Sequence, residues 1–208
     1  MSSNSHKGLA TTLKEFQITY AQADFLTGVE FQIPQSFRED LEFMMREGVV
    51  DNSEFAICEN LVYPVLKEVW KPYYEQFTWW SHHSLSYDSS LSGFPEYVLA
   101  RRSPLGKIVF DQPYFILVEA KQDNFDAAWG QCLAEMIAAQ KLNGNVNKSE
   151  QMTVFGITSN GDRWQFGKLC DRSFTLNRTF YTIQDLDSLF GILNGIFKQC
   201  QEQLNKIV

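Results

Sequence analysis

The chain has 208 residues, 44% of them hydrophobic and 14% aromatic, with a formal net charge of −7. That is enough apolar material for one substantial core and a single domain, and the acid excess excludes a protein that coats nucleic acid through a broadly basic surface. No apolar run approaches the roughly 18 residues of a membrane span, and the N-terminus lacks the apolar stretch of a signal peptide, so a cytoplasmic protein without membrane contact is expected. Cys58, Cys132, Cys170 and Cys200 form no CxxC pair, which signals neither a zinc knuckle nor a disulfide framework and reads as buried free thiols.

In chain order, residues 1–12 offer too little apolar surface to offset the entropy of ordering and read as a disordered tail, with the domain running from 13 to 208. LKEFQITYAQADF is ambiguous between helix and strand. SFREDLEFMMREG has a capping-box start, Ser36 to Glu39, and closes on Gly48, predicting a short helix. After Asn52 and Ser53, apolar residues from Phe55 to Val69 recur at helical spacing, with Pro64 expected to bend the helix. Glu59 lies at the edge of that stripe, about 40° round the axis. QFTWWSHHSLSY reads as a strand, DSSLSGFP as turns, YVLARR as a second strand and Ser103–Gly106 as a loop. YFILVEAK then reads as a buried strand, and DAAWGQCLAEMIAAQKLNG as a helix ended by Asn143-Gly144. Asn160-Gly161 predicts a hairpin between TVFGITS and DRWQFGKL. SFTLNRTFYTI reads as a strand and the segment from Leu186 to Leu204 as a final helix. This alternation predicts an α/β protein, a three-layer α/β/α arrangement around a central mixed sheet.

The chemistry concentrates where the buried strand runs out. Glu119 and Lys121, two residues apart on a strand, are expected on the same side, roughly 6–7 Å apart. Charges at the end of a buried strand cost several kcal/mol of desolvation unless paired, hydrated or ion-bound. A structural ion pair at a solvated strand end is one explanation.

LSGFPEYVLA supplies another. Pro95-Glu96, 22 intervening residues and Glu119-Ala120-Lys121 together resemble the signature of the PD-(D/E)XK, restriction endonuclease-like nuclease superfamily. LSGxPxY, PYFILVEAK and GITSNGDRWQF are similar to bacterial members of that superfamily. The resemblance spans about residues 53–168 and implies an αβββαβ core in which the first acid begins the second strand and E-x-K ends the third. It implies a nuclease hydrolysing DNA phosphodiester bonds with Mg²⁺, or Mn²⁺ in its place. Glu96 and Glu119 would bind the metal, Lys121 would orient or help deprotonate the attacking water, Glu59 would add an acidic ligand and Gln131 would support the site. Glu96 departs from the usual aspartate by one methylene. Asp111, eight residues before Glu119, is a rival for the first acid, although Asp111-Gln112-Pro113 reads as a turn.

Other groups carry blander readings. His82-His83 are adjacent, so on a strand they point to opposite faces and a single ion could not use both. Trp79, Trp80, Trp129 and Trp164 read as packing before base stacking. Arg101, Arg102 and Lys107 fit either phosphate contacts or a solvated loop. The alternative to a nuclease is a noncatalytic protein of the same fold that binds or assembles with a protein partner or with its own copies. A small-molecule or metal-binding protein unrelated to nucleic acid is the more distant alternative.

Overall fold

A computed structural model describes residues 8–146 and 152–207, without the side chains of Asn145 and Val146. Its backbone is a mixed α/β arrangement: one large mixed sheet with helices on both faces. The sheet runs in the order β1 (Thr19–Ala23), β9 (Ser173–Asn177), β8 (Arg163–Cys170), β7 (Val154–Ser159), β6 (Phe110–Ala120), β5 (Tyr97–Arg102) and β2 (Phe77–Ser81), with β10 (Tyr181–Thr182) pairing β8. Strands β2, β5 and β6 are consecutive antiparallel neighbours. β6 and β7 are parallel, as they must be when the 22-residue helix α5 (Phe125–Val146) carries the chain back across the sheet.

Burial on both faces explains the apolar run of β6: every residue from Tyr114 to Ala120 is buried. One face packs against α4 (Tyr63–Trp70) and α6 (Leu186–Ile207), with Val65, Leu66 and Val69 meeting Phe115, Ile116 and Phe197. The other receives α5, whose Trp129, Cys132, Leu133 and Met136 cover Leu117 and Val154. Two short strands, β3 (Leu85–Ser86) and β4 (Ser92–Gly93), form a separate hairpin near α5.

Several local expectations are corrected. Residues 9–12, assigned to a disordered tail, form the first turn of α1 (Leu9–Phe16); Leu9, Leu13 and Phe16 pack beside α5, and buried Thr12 donates its hydroxyl to the Gly130 carbonyl. Residues 1–7 of that tail lie outside the described residues. The ambiguous segment after Leu13 is both things, helix to Phe16 and then β1. Helix α2 (Gln35–Glu47) starts before Ser36, with Pro34 at its N-cap, so Ser36 does not cap it. Ser53 does cap the next helix, α3 (Glu54–Ile57), accepting from Ala56 N. A π-helical segment, Cys58–Val62, then precedes Pro64 and runs into α4. Asp111-Gln112-Pro113 is not a turn but part of β6. Asn143 does not end α5; it is buried, donating to the Tyr114 carbonyl and accepting from the Tyr114 amide. The Asn160-Gly161 turn joins β7 to β8, with Gly161 at φ 89° and Asn160 Oδ1 accepting from Arg163 N.

Candidate functional site

Tyr97, the first residue of β5, pairs with Val118 of β6. Glu96 precedes Tyr97 and Glu119 follows Val118, so antiparallel pairing brings the two glutamates to the same end of the same strand pair. Asp111 pairs with Arg101 at the other end of this ladder, about 26 Å from Glu119 at the rise of an extended strand. The pairing therefore separates Asp111 from Glu119. It separates Arg101 and Arg102 as well: they close β5 at the end away from Glu96, and Arg102 donates to the Tyr74 carbonyl.

Glu119 is completely buried and lies in register with Thr158 of β7. Two residues beyond Leu117, it faces the α5 side of the sheet, where Glu135 meets it. Burial first, then the neighbouring Glu135 charge, pushes the Glu119 carboxyl well above the ordinary carboxylate range. Glu135, also buried, is raised to about 7, chiefly by desolvation and opposed by its contacts with Glu119 and Gln131. Apart from the hydrogen bond between the two carboxyls themselves, neither Glu119 oxygen nor Oε2 of Glu135 receives a donor, and the Thr158 hydroxyl has no hydrogen-bond partner. Gln131 Nε2 donates to Glu135 Oε1 at 3.3 Å, so the glutamine touches the centre through Glu135.

Glu96 is mostly buried, and desolvation raises its carboxyl while His82 and Lys121 pull it back. His82 Nδ1 stands 3.0 Å from Glu96 Oε2, but out of line for a hydrogen bond, which leaves that buried oxygen without a donor. His82 itself ends β2 in a left-handed conformation, φ 47°, and its amide donates to the Glu96 carbonyl. The Cys58 thiol, raised to about 12 by burial and then by the Glu96 charge, is held neutral beside this carboxylate.

Lys121 lies one residue past the end of β6, where strand alternation no longer dictates its direction. Its ammonium reaches Glu54 Oε2 at 2.9 Å, on α3. Burial disfavours the charge, but the Glu54 contact and the Glu119 and Glu96 carboxylates outweigh it and hold the amine above its usual value. The first-helix carboxylate that pairs with Lys121 is thus Glu54, whereas Glu59 is exposed on the π-helical segment.

A cleft of about 550 Å³ opens on the α5 side, between α1, α5 and the β3–β4 hairpin, with Gln131 and Glu135 in its wall. Its titratable lining residues are Glu15 and Glu135; Ser84, Ser86, Ser90 and Ser92 add hydroxyls, and among the described lining residues there is no Lys, Arg or His. Gly93 stands against Glu135: a Cβ there would lie 2.8 Å from Oε1.

The remaining candidates are structural. His83 packs on Trp80 and Phe110. Trp129 donates to Gln165 Oε1, and Trp164 is fully buried with its indole donating to the Gly161 carbonyl. Among the described residues, no three His, Cys, Asp or Glu side chains form a ready-made metal-ligand group. Orphaned oxygens on Glu96 and Glu119 nevertheless suit a hard cation, because Mg²⁺ is commonly held by one or two carboxylates with water completing its shell.

Sequence reasoning missed Glu135 and Glu54. Glu135 lies one helical turn after Gln131 and is flanked by Leu133, Met136 and Ile137; a carboxylate amid the buried side of a helix was the available signal. Neither a scan of family models nor a search of curated proteins returns a match to this chain.

Proposed function

We propose that this protein is a metal-dependent nuclease of restriction endonuclease-like fold that hydrolyses DNA phosphodiester bonds, with Glu96, Glu119 and Lys121 at its centre. The observation that carries the reading is the fully buried Glu119 carboxyl, which meets no donor but the neighbouring acid Glu135, close to Glu96, whose Oε2 has only the His82 ring beside it. Buried carboxyls with strongly raised pKa and few hydrogen-bond partners are costly to ionise and cluster at functional sites. The order helix, β2, β5, β6, α5, β7 around this centre is the αβββαβ order that the resemblance implies, which supports the reading further.

Glu96 and Glu119 are the residues that would hold Mg²⁺, or Mn²⁺ in its place. A bound divalent cation there would supply charge stabilisation for the phosphodiester oxygens and acidify water. Lys121, close enough to bias both carboxylates, orients the attacking water, and Glu54 holds its ammonium charged and aimed. Gln131 steadies Glu135 and thereby the buried acid pair.

The second reading is a noncatalytic binding or assembly protein of the same fold. It is favoured by the acid-and-hydroxyl lining of the cleft and by the distance of Arg101 and Arg102 from the acids. Incubating the protein with labelled single- and double-stranded DNA in Mg²⁺ or Mn²⁺ separates the two. A nuclease loses at least about 100-fold in rate in Glu119→Gln and in Lys121→Met, the loss typical of electrostatic or proton-transfer residues. Absence of cleavage in the parent protein with either metal supports the second reading, and cleavage that survives both substitutions rules out this centre.

A further inference from the structure

Two fully or nearly fully buried carboxylates, Glu119 on β6 and Glu135 on α5, face one another across the sheet–helix interface. Beyond the hydrogen bond the two carboxyls share, three of their four oxygens have no donor, and the fourth receives only the Gln131 amide at 3.3 Å. The nearest candidate for charge compensation, Lys121, is committed to Glu54 at 2.9 Å. Two anions so placed need a positive partner between them: a shared proton or a cation.

The surroundings distinguish these occupants. A pair sealed in the core could be served only by a proton. Glu135 instead lines the 550 Å³ cleft, whose other walls are hydroxyl-bearing serines and the bare backbone of Gly93. Among the described residues that line the cleft, none is a Lys, Arg or His. It gives a hydrated cation a route to Glu135 and oxygen atoms along the way, the ligand type hard cations favour.

We propose that Glu119 and Glu135 together form a divalent-cation seat entered through the cleft, with Glu135, rather than a carboxylate on the first helix, as the acidic ligand that joins Glu119 and Glu96 on the cation. The inference rests on the metal-dependent reading above and adds to it a ligand from α5. Water completes the coordination, since hard divalent cations keep several waters beside their carboxylate ligands. The side chain at position 93 has to be absent for this arrangement, because a methyl group there presses on Glu135 Oε1.

The test titrates Mn²⁺ into the full-length protein at pH 8 and counts bound ion by electron paramagnetic resonance, with thermal unfolding measured alongside. The variants are Glu135→Gln, Glu119→Gln, Gly93→Ala and, as a control at an exposed position of the C-terminal helix, Glu202→Gln. The seat predicts that both carboxylate substitutions weaken Mn²⁺ binding at least about tenfold and abolish the metal-induced rise in Tm, that Gly93→Ala weakens binding as well, and that Glu202→Gln changes nothing. Metal-free Glu135→Gln should melt no lower than the parent protein at pH 8, since it removes the desolvation cost of a buried carboxylate; loss of binding therefore cannot be misread as loss of fold. If Glu119→Gln abolishes binding while Glu135→Gln binds like the parent, the seat is overturned and the nuclease reading stands. Mn²⁺ binding that needs Glu135 in a protein that cleaves no DNA leaves the seat and removes the nuclease. A parent protein that binds no Mn²⁺ at millimolar concentration overturns both.

Discussion

Glu135 carries the clearest pH signature of any single residue. Its folded value of about 7 lies above the ordinary 4.5, and Glu119 is raised with it. A raised carboxyl means that the folded state holds protons the unfolded chain releases, so stability falls as pH rises between about 4.5 and 7 and stays reduced above. Metal-free protein should lose on the order of 1–3 kcal/mol across that window, measured by urea denaturation at several pH values; Glu135→Gln should flatten the loss. A profile that rises over the same interval would contradict the raised pair. The Lys121–Glu54 contact is different in kind. Glu54 is 41% exposed, so Glu54→Gln should change stability by no more than about 1 kcal/mol, while the proposed nuclease activity, if Lys121 serves it, should fall. Thiol chemistry gives a third check. Cys58, Cys132 and Cys200 are buried and their thiols are pushed up, leaving half-buried Cys170 as the accessible one. Ellman's reagent should titrate at most one thiol in the native protein and all four after unfolding.

Among the elements, the contact of α5 with β7 and β8 is the tightest constraint on the site. Gly156 and Gly167 are cross-strand partners, and Trp129 lies over both. A Cβ at Gly156 would stand 2.6 Å from Met136 Sδ, and one at Gly167 would stand 2.7 Å from a Phe174 ring carbon. Helix α5 thus rests close on the sheet, and that closeness delivers Glu135 to Glu119. Gly156→Ala should cost about 1–3 kcal/mol by overpacking, and it should also weaken Mn²⁺ binding by shifting α5; a variant as stable as the parent would show that the helix has room to move. Much of this element scale was readable. Helical spacing located α4, α5 and α6, and Asn160-Gly161 located a hairpin, because both signals are local. Boundaries failed where a tertiary partner intervened. Asn143 looks like a helix end by composition, yet it is retained inside α5 by two hydrogen bonds to Tyr114, 29 residues away. Leu9 and Leu13 look like a tail until α5 offers them a surface.

For the whole molecule, the charge of −7 and an acid-lined cleft predict that DNA association is feeble without divalent cations. Nonspecific duplex binding in EDTA at physiological salt should be weaker than about 100 µM, the weak end of the usual range, when followed by fluorescence anisotropy; tight binding in EDTA would reveal a basic surface that this chain does not advertise. The sequence by itself determined the class of fold, since alternating helix and strand patterns can bury their apolar faces only in a layered α/β arrangement. It also marked Glu119 and Lys121, because charges closing an apolar strand are anomalous without any knowledge of the fold, and Glu96 through the resemblance that Pro95-Glu96 carries. The tertiary structure alone decided which groups surround them. Strand pairing set Glu96 beside Glu119 and carried Asp111, Arg101 and Arg102 to the other end, α3 presented Glu54 to Lys121, and α5 presented Glu135. Those choices depend on register and on helix placement over tens of residues, where local periodicity tells which side of an element is apolar but not which residue of another element will face it.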